Sequence, residues 1–383
     1  MLVLYINHLS LKMKRKKLHS KGRKVSKHTS FSSHNFEPLE ALDLSKINNF
    51  DELTKAMSLT AFGGRELGEA VDVTESMVRD KDCFKVLTLS GAMTMAQMSL
   101  LICDMIDNNM VNAIISTGAL MSHGFVESLG MSHYKNPDGV SDEKLRQMKI
   151  NRVYDTLEPE ENFDAMTSIV REVFKRVDTE KPTCSYKICY EMGKYLSENM
   201  KGRGIFKSAY LKKIPIFIPA FSDSEIGLDF ALFNRQRKIE NKKQLYFDEF
   251  LDLEHYANLV LKAKKTGIFT IGGGVPRNWA QQVAPYLDYI RYHIIDKADP
   301  SKYFITNKNS PYYKPFHYAV RICPEPAHWG GLSGCTYSES ISWGKILPKS
   351  QGGKYAEVLC DATIAWPIII KAVMERLKKK RSS

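Results

Sequence analysis

Six short apolar runs are the most regular feature of the amino-acid sequence. They cover residues 84–89, 111–115, 214–218, 267–271, 316–322 and 356–359, and they lead into small or polar residues. Most of them are followed by a stretch with the apolar spacing of a helix. Continuous apolar strands that alternate with helices are typical of a parallel sheet covered on both faces. The pattern therefore predicts an α/β fold, doubly wound, with a mainly parallel, Rossmann-like sheet.

Four longer segments carry the helical pattern. They are residues 92–108, 160–177, 186–199 and 279–287, and residues 178–185 are the predicted internal loop. In a doubly wound sheet, ligands collect outside the carboxyl ends of the strands. The small and polar residues that follow the six strands are therefore the candidate positions for one binding site.

Charge separates the ends of the chain from its body. The chain has 383 residues, 43% of them hydrophobic, and a formal net charge of +12. Because the positive excess lies in two basic runs at the ends, the body is close to neutral. We expect solvated tails at residues 1–35 and 377–383 and a single domain at residues 36–376. This distribution argues against a specific nucleic-acid binder, and weak binding of acidic surfaces by the tails is the alternative.

The cysteines and the N-terminus indicate the compartment. Seven cysteines, an odd number, occur without a CxxC spacing, which predicts free thiols in a reducing cytoplasm and no metal site. The apolar N-terminal residues precede a basic cluster, the reverse of a secretory signal. The apolar runs fall short of the roughly 20 residues of a transmembrane helix. We therefore expect a cytoplasmic protein without a membrane partner.

A glycine triplet follows the fourth apolar run. The stretch "IGGGVPRN" at residues 271–278 would let a backbone approach a phosphate closely, but Arg277 occupies the position of the third glycine of a GxGxxG fingerprint. On its own, the triplet fits a tight strand-to-loop turn as well as it fits a dinucleotide site.

Three motifs together resemble the deoxyhypusine synthase family. They are "IGGGVPRN" (271–278), "SESISWGKI" (338–346) and "LCDATIAWPII" (359–369), in this order. The resemblance extends over roughly residues 62–373. Members of that family use NAD to oxidise a polyamine, hold its aminobutyl part as an imine on a lysine, and pass it to another amine. The resemblance implies that Lys345 is the catalytic lysine.

The residues around Lys345 suit this chemistry. An imine-forming lysine must be neutral to attack, and burial in an apolar pocket lowers its pKa. The face of Trp343 would attract an amine cation by about 0.5–2 kcal/mol, and Glu339 would pair with an ammonium end of the substrate. The alternative for Lys345 is an ordinary surface lysine.

The resemblance also implies a set of residues that contact NAD. They are Ser90, Gly91, Thr94, Thr117, Gly118, Asp223, Gly273, Asp361 and Ala362. Glycine and alanine allow close backbone approach, and a carboxylate can accept hydrogen bonds from ribose hydroxyls. Singly, Asp361 could instead be a helix N-cap and Asp223 a turn former.

The substrate loops depart from the family pattern. Where the family has two glycines and a pair of glutamates, residues 119–123 read Ala-Leu-Met-Ser-His. Asn278 stands in place of a histidine, and Leu228 and Leu332 stand in place of aspartates. The oxidation and transfer residues are therefore kept while polycation-binding carboxylates are missing.

We expect an altered pocket lined by His123, Asn278 and Trp329 beside Glu339 and Trp343, with core packing as the alternative for each aromatic or polar side chain. A pocket poorer in acids favours a less charged amine, such as putrescine or a guanidino or carboxylated polyamine, because an unpaired buried ammonium group is costly.

Four functions remain open from the sequence. The first is an NAD-dependent aminoalkyl transferase that makes a polyamine, as in homospermidine synthesis. The others are a true deoxyhypusine synthase acting on a protein lysine, a dehydrogenase that releases NADH, and a non-catalytic binder that uses its basic tails. The resemblance further implies a homotetramer whose active sites are shared between two subunits.

Overall fold

Nine strands form two sheets in the computed structural model, which describes residues 37–137, 139–297 and 308–379. The strands are β1 Cys83–Leu89, β2 Ala113–Ser116, β3 Tyr134–Lys135, β4 Ile150–Val153, β5 Thr156–Pro159, β6 Ile216–Phe217, β7 Lys265–Ile271, β8 Tyr318–Ile322 and β9 Lys354–Val358. The chain divides into Met1–Leu39 and one compact unit, Glu40–Ser383. The predicted N-terminal tail, residues 1–35, lies outside the described residues.

Thirteen α-helices belong to the described part of the chain. They are α1 Phe50–Ser58, α2 Phe62–Arg79, α3 Ser99–Asp107, α4 Gly118–Ser128, α5 Asp142–Gln147, α6 Glu160–Phe174, α7 Ser185–Asn199, α8 Ile205–Leu211, α9 Glu225–Ile239, α10 Phe250–Lys262, α11 Gly274–Tyr289, α12 Tyr337–Ser342 and α13 Ala362–Lys379. Within the ranges that the structure describes, no helix is both long enough and apolar enough to cross a lipid bilayer.

The larger sheet contains all six predicted strands. Its order is β6-β2-β1-β7-β8-β9, and every neighbouring pair is parallel. Buried apolar residues cover both faces, in one cluster that includes Leu87, Phe269 and Trp366 and in a second that includes Val86, Ile268 and Tyr256. The prediction of an α/β fold with a mainly parallel sheet is confirmed.

The centre of this sheet is the pair β1 and β7. They are in register over their full length, from Cys83 opposite Lys265 to Leu89 opposite Ile271. The chain goes from β1 to β2 on one side, whereas β7 and β8 extend the sheet on the other. Such a reversal of strand order opens a crevice at the carboxyl ends of the two central strands, where ligands bind in folds of this kind.

The second sheet, β3-β5-β4, is antiparallel and was missed by the sequence analysis. Its strands have two to four residues, and β3 and most of β4 are exposed. Strands this short carry neither a continuous apolar run nor a clear alternation, and these are the two patterns that identify a strand.

The predicted helix at residues 92–108 is wrong in its first half. Helix α3 begins only at Ser99, and turns precede it. Gln97 has a φ angle of 62°, which a right-handed helix cannot contain. Thr94, in addition, is buried and donates its hydroxyl proton to the carbonyl oxygen of Leu120. The helices predicted at 160–177, 186–199 and 279–287 correspond to α6, α7 and α11.

The last helix joins the two ends of the compact unit. Arg376 on α13 donates from Nε to Oδ1 of Asp51 at 2.7 Å and from Nη1 to Oδ1 of Asp72 at 2.6 Å. Lys379 Nζ lies 2.9 Å from Oδ2 of Asp51. Because α13 continues to Lys379, residues 377–379, the first three of the predicted C-terminal tail, are helical.

We expect the Asp51 to Arg376 contact to make stability depend on pH. Burial disfavours the charged carboxylate, but hydrogen bonds from Lys379, Lys55 and Arg376 outweigh it and lower the pKa of Asp51 to about 2. A carboxyl group with a lowered folded pKa contributes stability above its unfolded pKa, near 3.9, and loses it as the pH falls toward the folded value. Asp51→Asn should lower the free energy of unfolding by about 3–5 kcal/mol at pH 7.

Urea unfolding at pH 7 and at several values between about pH 4 and 2 tests this expectation, because the difference between the two proteins should shrink across that window. Glu172→Gln, which removes an exposed pair with Lys175, is the matched control and should cost at most about 1 kcal/mol. Equal losses of unfolding free energy for Asp51→Asn and Glu172→Gln would contradict a stabilising role for the contact between Asp51 and Arg376.

Candidate active site

Lys345 lies in a turn that follows the short helix α12. Gly344 has a φ angle of 69°, in the left-handed region that favours glycine, and this lets the chain leave the helix. The carbonyl oxygen of Lys345 accepts a hydrogen bond from the amide of Phe316 at 2.9 Å. The residue is thereby attached to the segment that leads into β8, so its position is fixed by the central sheet.

The side chain of Lys345 points into the protein. The residue is only 9% exposed. Its Nζ donates to Oδ1 of Asn278 at 3.0 Å and lies 5.7 Å from the ring centroid of Trp343. Burial is the main cause that lowers the pKa of Lys345, and the nearby guanidinium of Arg277 lowers it further, while Cys335 and Glu339 oppose the shift. The amine is therefore neutral in a larger fraction of molecules than an exposed lysine would be.

The cavity in front of Lys345, here the lysine cavity, has a volume of about 230 Å³. It is lined by Arg277, Asn278, Gln281, Gln282, Leu332, Cys335, Glu339, Ser340, Trp343 and Lys345. Among the described residues that line it, Glu339 is the one carboxylate. The cavity thus offers amide groups, an indole face and a single negative charge.

Arg277 holds the wall of the lysine cavity in place. Its guanidinium is buried, with Nη1 donating to the carbonyl oxygen of Cys335 at 2.7 Å and Nη2 to that of Leu332 at 2.6 Å. Arg321 supports the same loop by donating to the carbonyl oxygen of Ser333 at 2.6 Å. In the sequence, Arg277 only interrupted a glycine fingerprint; in the structure it fixes the loop that precedes α12.

A second cavity, here the switch cavity, lies at the carboxyl ends of β1 and β7. Its volume is about 470 Å³, and its lining includes six of the predicted cofactor residues: Ser90, Gly91, Thr117, Gly273, Asp361 and Ala362. A volume between roughly 300 and 1,000 Å³ is usual for small-molecule and cofactor sites. The sequence and the fold therefore bring these six residues to one place.

Ser90 connects the two loops of the switch cavity. Its hydroxyl donates to the carbonyl oxygens of Ile271 and Gly273, at 3.0 and 2.8 Å, and accepts from the amide of Gly273 at 2.9 Å. A Cβ atom on Gly273 would lie 2.4 Å from the Cα of Ser333. These two residues thus shape the loops of the cavity, whatever contacts they also make with a ligand.

The other predicted cofactor residues do not line the switch cavity. Thr94 is buried beneath it, with its hydroxyl bound to Leu120. Gly118 begins α4 against Ser224, where a Cβ atom would lie 2.4 Å from the Cβ of that serine. Asp223 is exposed in the loop between β6 and α9. In this structure the Thr94 side chain is fully buried and cannot contact a cofactor in the switch cavity.

The predicted substrate residues fall into two groups. Glu339, Trp343 and Asn278 surround Lys345 in the lysine cavity, and Trp343 is 66% exposed. Trp329, 70% exposed on the short 3-10 helix Ala327–Trp329, lines neither of the two cavities. His123 lies on α4, where it contacts Glu158 and Phe163 and is not part of the lysine cavity.

Two groups of residues were missed by the sequence analysis. One is Gln281 and Gln282 beside Lys345; their helical spacing from Asn278 along α11 was the available signal. The other is His133 and Glu158, which meet His123. No motif joins these three residues, because they come from α4, a loop and β5.

Comparison with known proteins identifies the family. The family model described as deoxyhypusine synthase matches residues 52–373. "Probable deoxyhypusine synthase 2" of Methanosarcina acetivorans is 32% identical over 351 residues, covering 91% of this chain and 92% of the relative. "Deoxyhypusine synthase-like protein" of Elusimicrobium minutum is 31% identical over 336 residues, covering 87% and 82%.

A solved structure shows the same fold. The crystal structure of a deoxyhypusine synthase candidate from Entamoeba histolytica superimposes with a TM-score of 0.54 at 16% identity, covering 88% of this chain and 97% of that chain. Together with the sequence relatives, which match over most of their length, this leads to one conclusion: the chain belongs to the deoxyhypusine synthase family, whose members are transferases that use NAD for aminobutyl transfer.

Proposed function

We propose that the protein is an NAD-dependent aminobutyl transferase that takes a lightly charged polyamine or diamine as donor and forms its covalent intermediate on Lys345. The observation that carries this proposal is the placement of Lys345: a buried amine with a lowered pKa, which donates to Asn278 and lies beside an indole face. The acceptor is the amine of a second small molecule, so that the product is a polyamine.

The six residues of the switch cavity fit NAD. Gly91, Gly273 and Ala362 allow close backbone approach. Oδ1 of Asp361 caps α13 by accepting from the amide and hydroxyl of Thr363, and its other carboxylate oxygen would accept from a ribose hydroxyl. When bound, NAD supplies a hydride acceptor for the donor amine and later returns the same hydride to the product.

Lys345 performs the transfer between these two events. Its neutral Nζ attacks the carbon of the oxidised donor, an imine carbon, and the original nitrogen leaves with a proton, as 1,3-diaminopropane from spermidine or as ammonia from putrescine. The acceptor amine then attacks the same carbon and releases Nζ of Lys345. Each exchange replaces one C–N bond by another, so no oxidant other than NAD is needed.

The lysine cavity supports a donor that carries few charges. Its volume of about 230 Å³ is below the range of drug-sized ligands, roughly 300–1,000 Å³. Glu339 can balance one ammonium group, whereas the buried Arg277 nearby disfavours additional cations in the cavity. A four-carbon amine with one distal charge is the substrate that this combination suits best.

The position of the two cavities supports a shared site. Among the described residues, the lysine cavity and the switch cavity have no lining residue in common. The loop that Arg277 and Arg321 hold lies between them, with Leu332 and Cys335 on one side and Ser333 on the other. We propose a homotetramer in which the cofactor loops of one subunit face the lysine cavity of its neighbour.

We expect Lys345 to be trapped by reduction. Protein incubated with NAD and labelled putrescine or spermidine, then treated with borohydride, should gain one aminobutyl group on Lys345, as measured by peptide mass spectrometry. Lys345→Arg keeps the charge but cannot form the imine, so it should lose labelling and turnover below detection. Lys349→Arg, an exposed lysine beside Tyr355, is the matched control and should label normally.

Other outcomes of this experiment would change the assignment. Labelling of Lys345→Arg at the wild-type level would remove Lys345 from the reaction. Accumulation of NADH without labelling would indicate a dehydrogenase. With the eukaryotic-type translation initiation factor added to the incubation, a mass gain on a lysine of that factor, without free polyamine products, would indicate a true deoxyhypusine synthase.

We expect Asn278→Asp to move the pH dependence of trapping to higher pH. A carboxylate at this position favours the charged form of Lys345 and raises its pKa, so less neutral amine is present at a given pH. An added interaction of about 1.4 kcal/mol makes trapping about tenfold slower at pH 7. The measurement is the initial rate of labelling between pH 6 and 10. Asn258→Asp, exposed on α10, should leave the profile unchanged, and an unchanged profile for both variants would contradict the role of Asn278.

We expect two inactive variants to restore activity together if the site is shared. Lys345→Ala removes the nucleophile and Asp361→Ala weakens the cofactor loops, so co-expressed chains would form some sites with both parts intact. Polyamine turnover of the mixture, compared with each variant alone, is the measurement. Mixed oligomers that stay inactive would exclude the shared site and leave the chemistry of Lys345 unaffected.

A further inference from the structure

Three side chains away from the lysine cavity form a compact cluster. His123 on α4, His133 in the loop before β3 and Glu158 on β5 bring their ligand atoms within 4.8 Å of one another. Nδ1 of His123 lies 2.8 Å and Nε2 of His133 lies 2.5 Å from the same atom, Oε2 of Glu158. Two imidazole nitrogens therefore converge on one carboxylate oxygen.

The cluster is buried. The side chains of His133 and Glu158 are each 1% exposed, and that of His123 is 13% exposed. Burial of ionisable groups is costly unless they are paired or bind a metal. The buried carboxylate of Glu158 therefore needs a positive charge close to the two imidazole nitrogens.

Neighbouring side chains hold the cluster as outer partners hold metal ligands. Oε1 of Glu127 lies 3.4 Å from Nδ1 of His133, on the far side of the ring from Glu158. Gln97 donates to the same Glu127 oxygen at 2.6 Å and also lies 3.1 Å from Nδ1 of His133. Asn162 donates to Oε1 of Glu158 at 2.8 Å. Gln97 and Glu127 thus both contact Nδ1 of His133 and orient its ring, as the outer partners of a metal-bound imidazole do.

The contact between His133 and Glu158 is not a well-formed hydrogen bond. Although Nε2 is 2.5 Å from Oε2 of Glu158, it is buried and makes no hydrogen bond to any described residue. The axis of its proton or lone pair therefore does not point at this oxygen.

We propose that His123, His133 and Glu158 form a binding site for a divalent first-row transition metal ion of the Zn²⁺ class. Two histidines and one glutamate are a ligand set that zinc uses with a fourth position left open. The two carboxylates of Glu158 and Glu127 would balance the charge of the ion. Small outward movements of the three side chains are needed, because nitrogen and oxygen ligands lie about 2.0–2.2 Å from zinc and hence farther from one another than these atoms are now.

A solvent-accessible cavity adjoins the cluster. His133 lines a cavity of about 600 Å³ that is also lined by Ala92, Met93 and Asp361, and the last two of these belong to the switch cavity as well. A water molecule or a ligand amine in this cavity could reach the ion. The site therefore adjoins the cofactor loops, but it does not depend on the proposed transfer reaction.

The rival arrangement is a cluster without metal. Burial disfavours an imidazolium at His133, but Glu127 and Glu158 outweigh it and raise the pKa of His133 to about 9. A charged His133 between two carboxylates would then be sufficient, and the cluster would hold the small sheet against α4. Metal binding distinguishes the two arrangements.

The experiment uses the full-length protein, stripped with a chelator and dialysed against Zn²⁺ or Co²⁺ at defined free concentrations. We expect one more bound equivalent in the wild type than in His133→Ala or Glu158→Gln, measured by elemental analysis. The Co²⁺ form should show the intense visible bands of a four-coordinate site. His328→Ala, an exposed histidine, is the matched control and should bind as the wild type does.

A graded variant keeps the test decisive if the buried substitutions unfold the protein. Glu127→Gln leaves all three ligands and should weaken Zn²⁺ binding about 10- to 100-fold, while circular dichroism verifies the fold. His123 is the least buried of the three ligands, and the His123→Gln variant should lose the additional equivalent of bound metal entirely. Equal metal binding by wild type, His123→Gln and Glu127→Gln, all folded, would overturn the proposal in favour of the metal-free cluster.

Discussion

The pairing of β1 with β7 is the constraint on which the rest of the structure depends. Seven consecutive residue pairs align the two strands, so both strands end at the same level of the sheet. Ser90 then connects the ends by hydrogen bonds to Ile271 and Gly273. Because the strand order reverses at this pair, a crevice forms at the carboxyl ends of β1 and β7. A shift of one residue would turn every side chain of β7 to the other face and would separate these loops.

The reactive lysine is held by a different set of forces. No long strand carries it; its backbone is attached to the segment before β8, and the loop facing it is fixed by the buried guanidinium of Arg277. A buried arginine that donates to carbonyl oxygens keeps its full charge, because carbonyl groups cannot neutralise it. The same side chain that fixes the loop therefore also contributes to the low pKa of Lys345. Arg277 thus couples the position of the loop to the reactivity of Lys345.

The sequence predicted what depends on continuous runs and local motifs. Residues 267–271 are apolar enough to identify β7, and the tryptophan, glycine and lysine of the second motif lie together in the chain as they do in space. What it could not predict depends on distant contacts. The family resemblance implied that Thr94 contacts NAD, whereas in the structure its buried hydroxyl donates to the carbonyl oxygen of Leu120 on α4. His123, His133 and Glu158 are brought together only when a hairpin of short strands packs on α4, and no spacing in the sequence reveals that packing.

The link between Asp51 and Arg376 has a consequence for synthesis of the chain. The two residues are 325 positions apart, and translation at about 5–20 residues per second separates their appearance by roughly 15–65 s. During that interval α1 and α2 have emerged, yet Asp51, Asp72 and Glu75 lack the Arg376 guanidinium, with which all three pair. This corner of the protein can close only after Arg376 has been synthesised. A chain that stops before Arg376 would leave these three carboxylates without the cation that they share, so the N-terminal helices depend on a residue made much later.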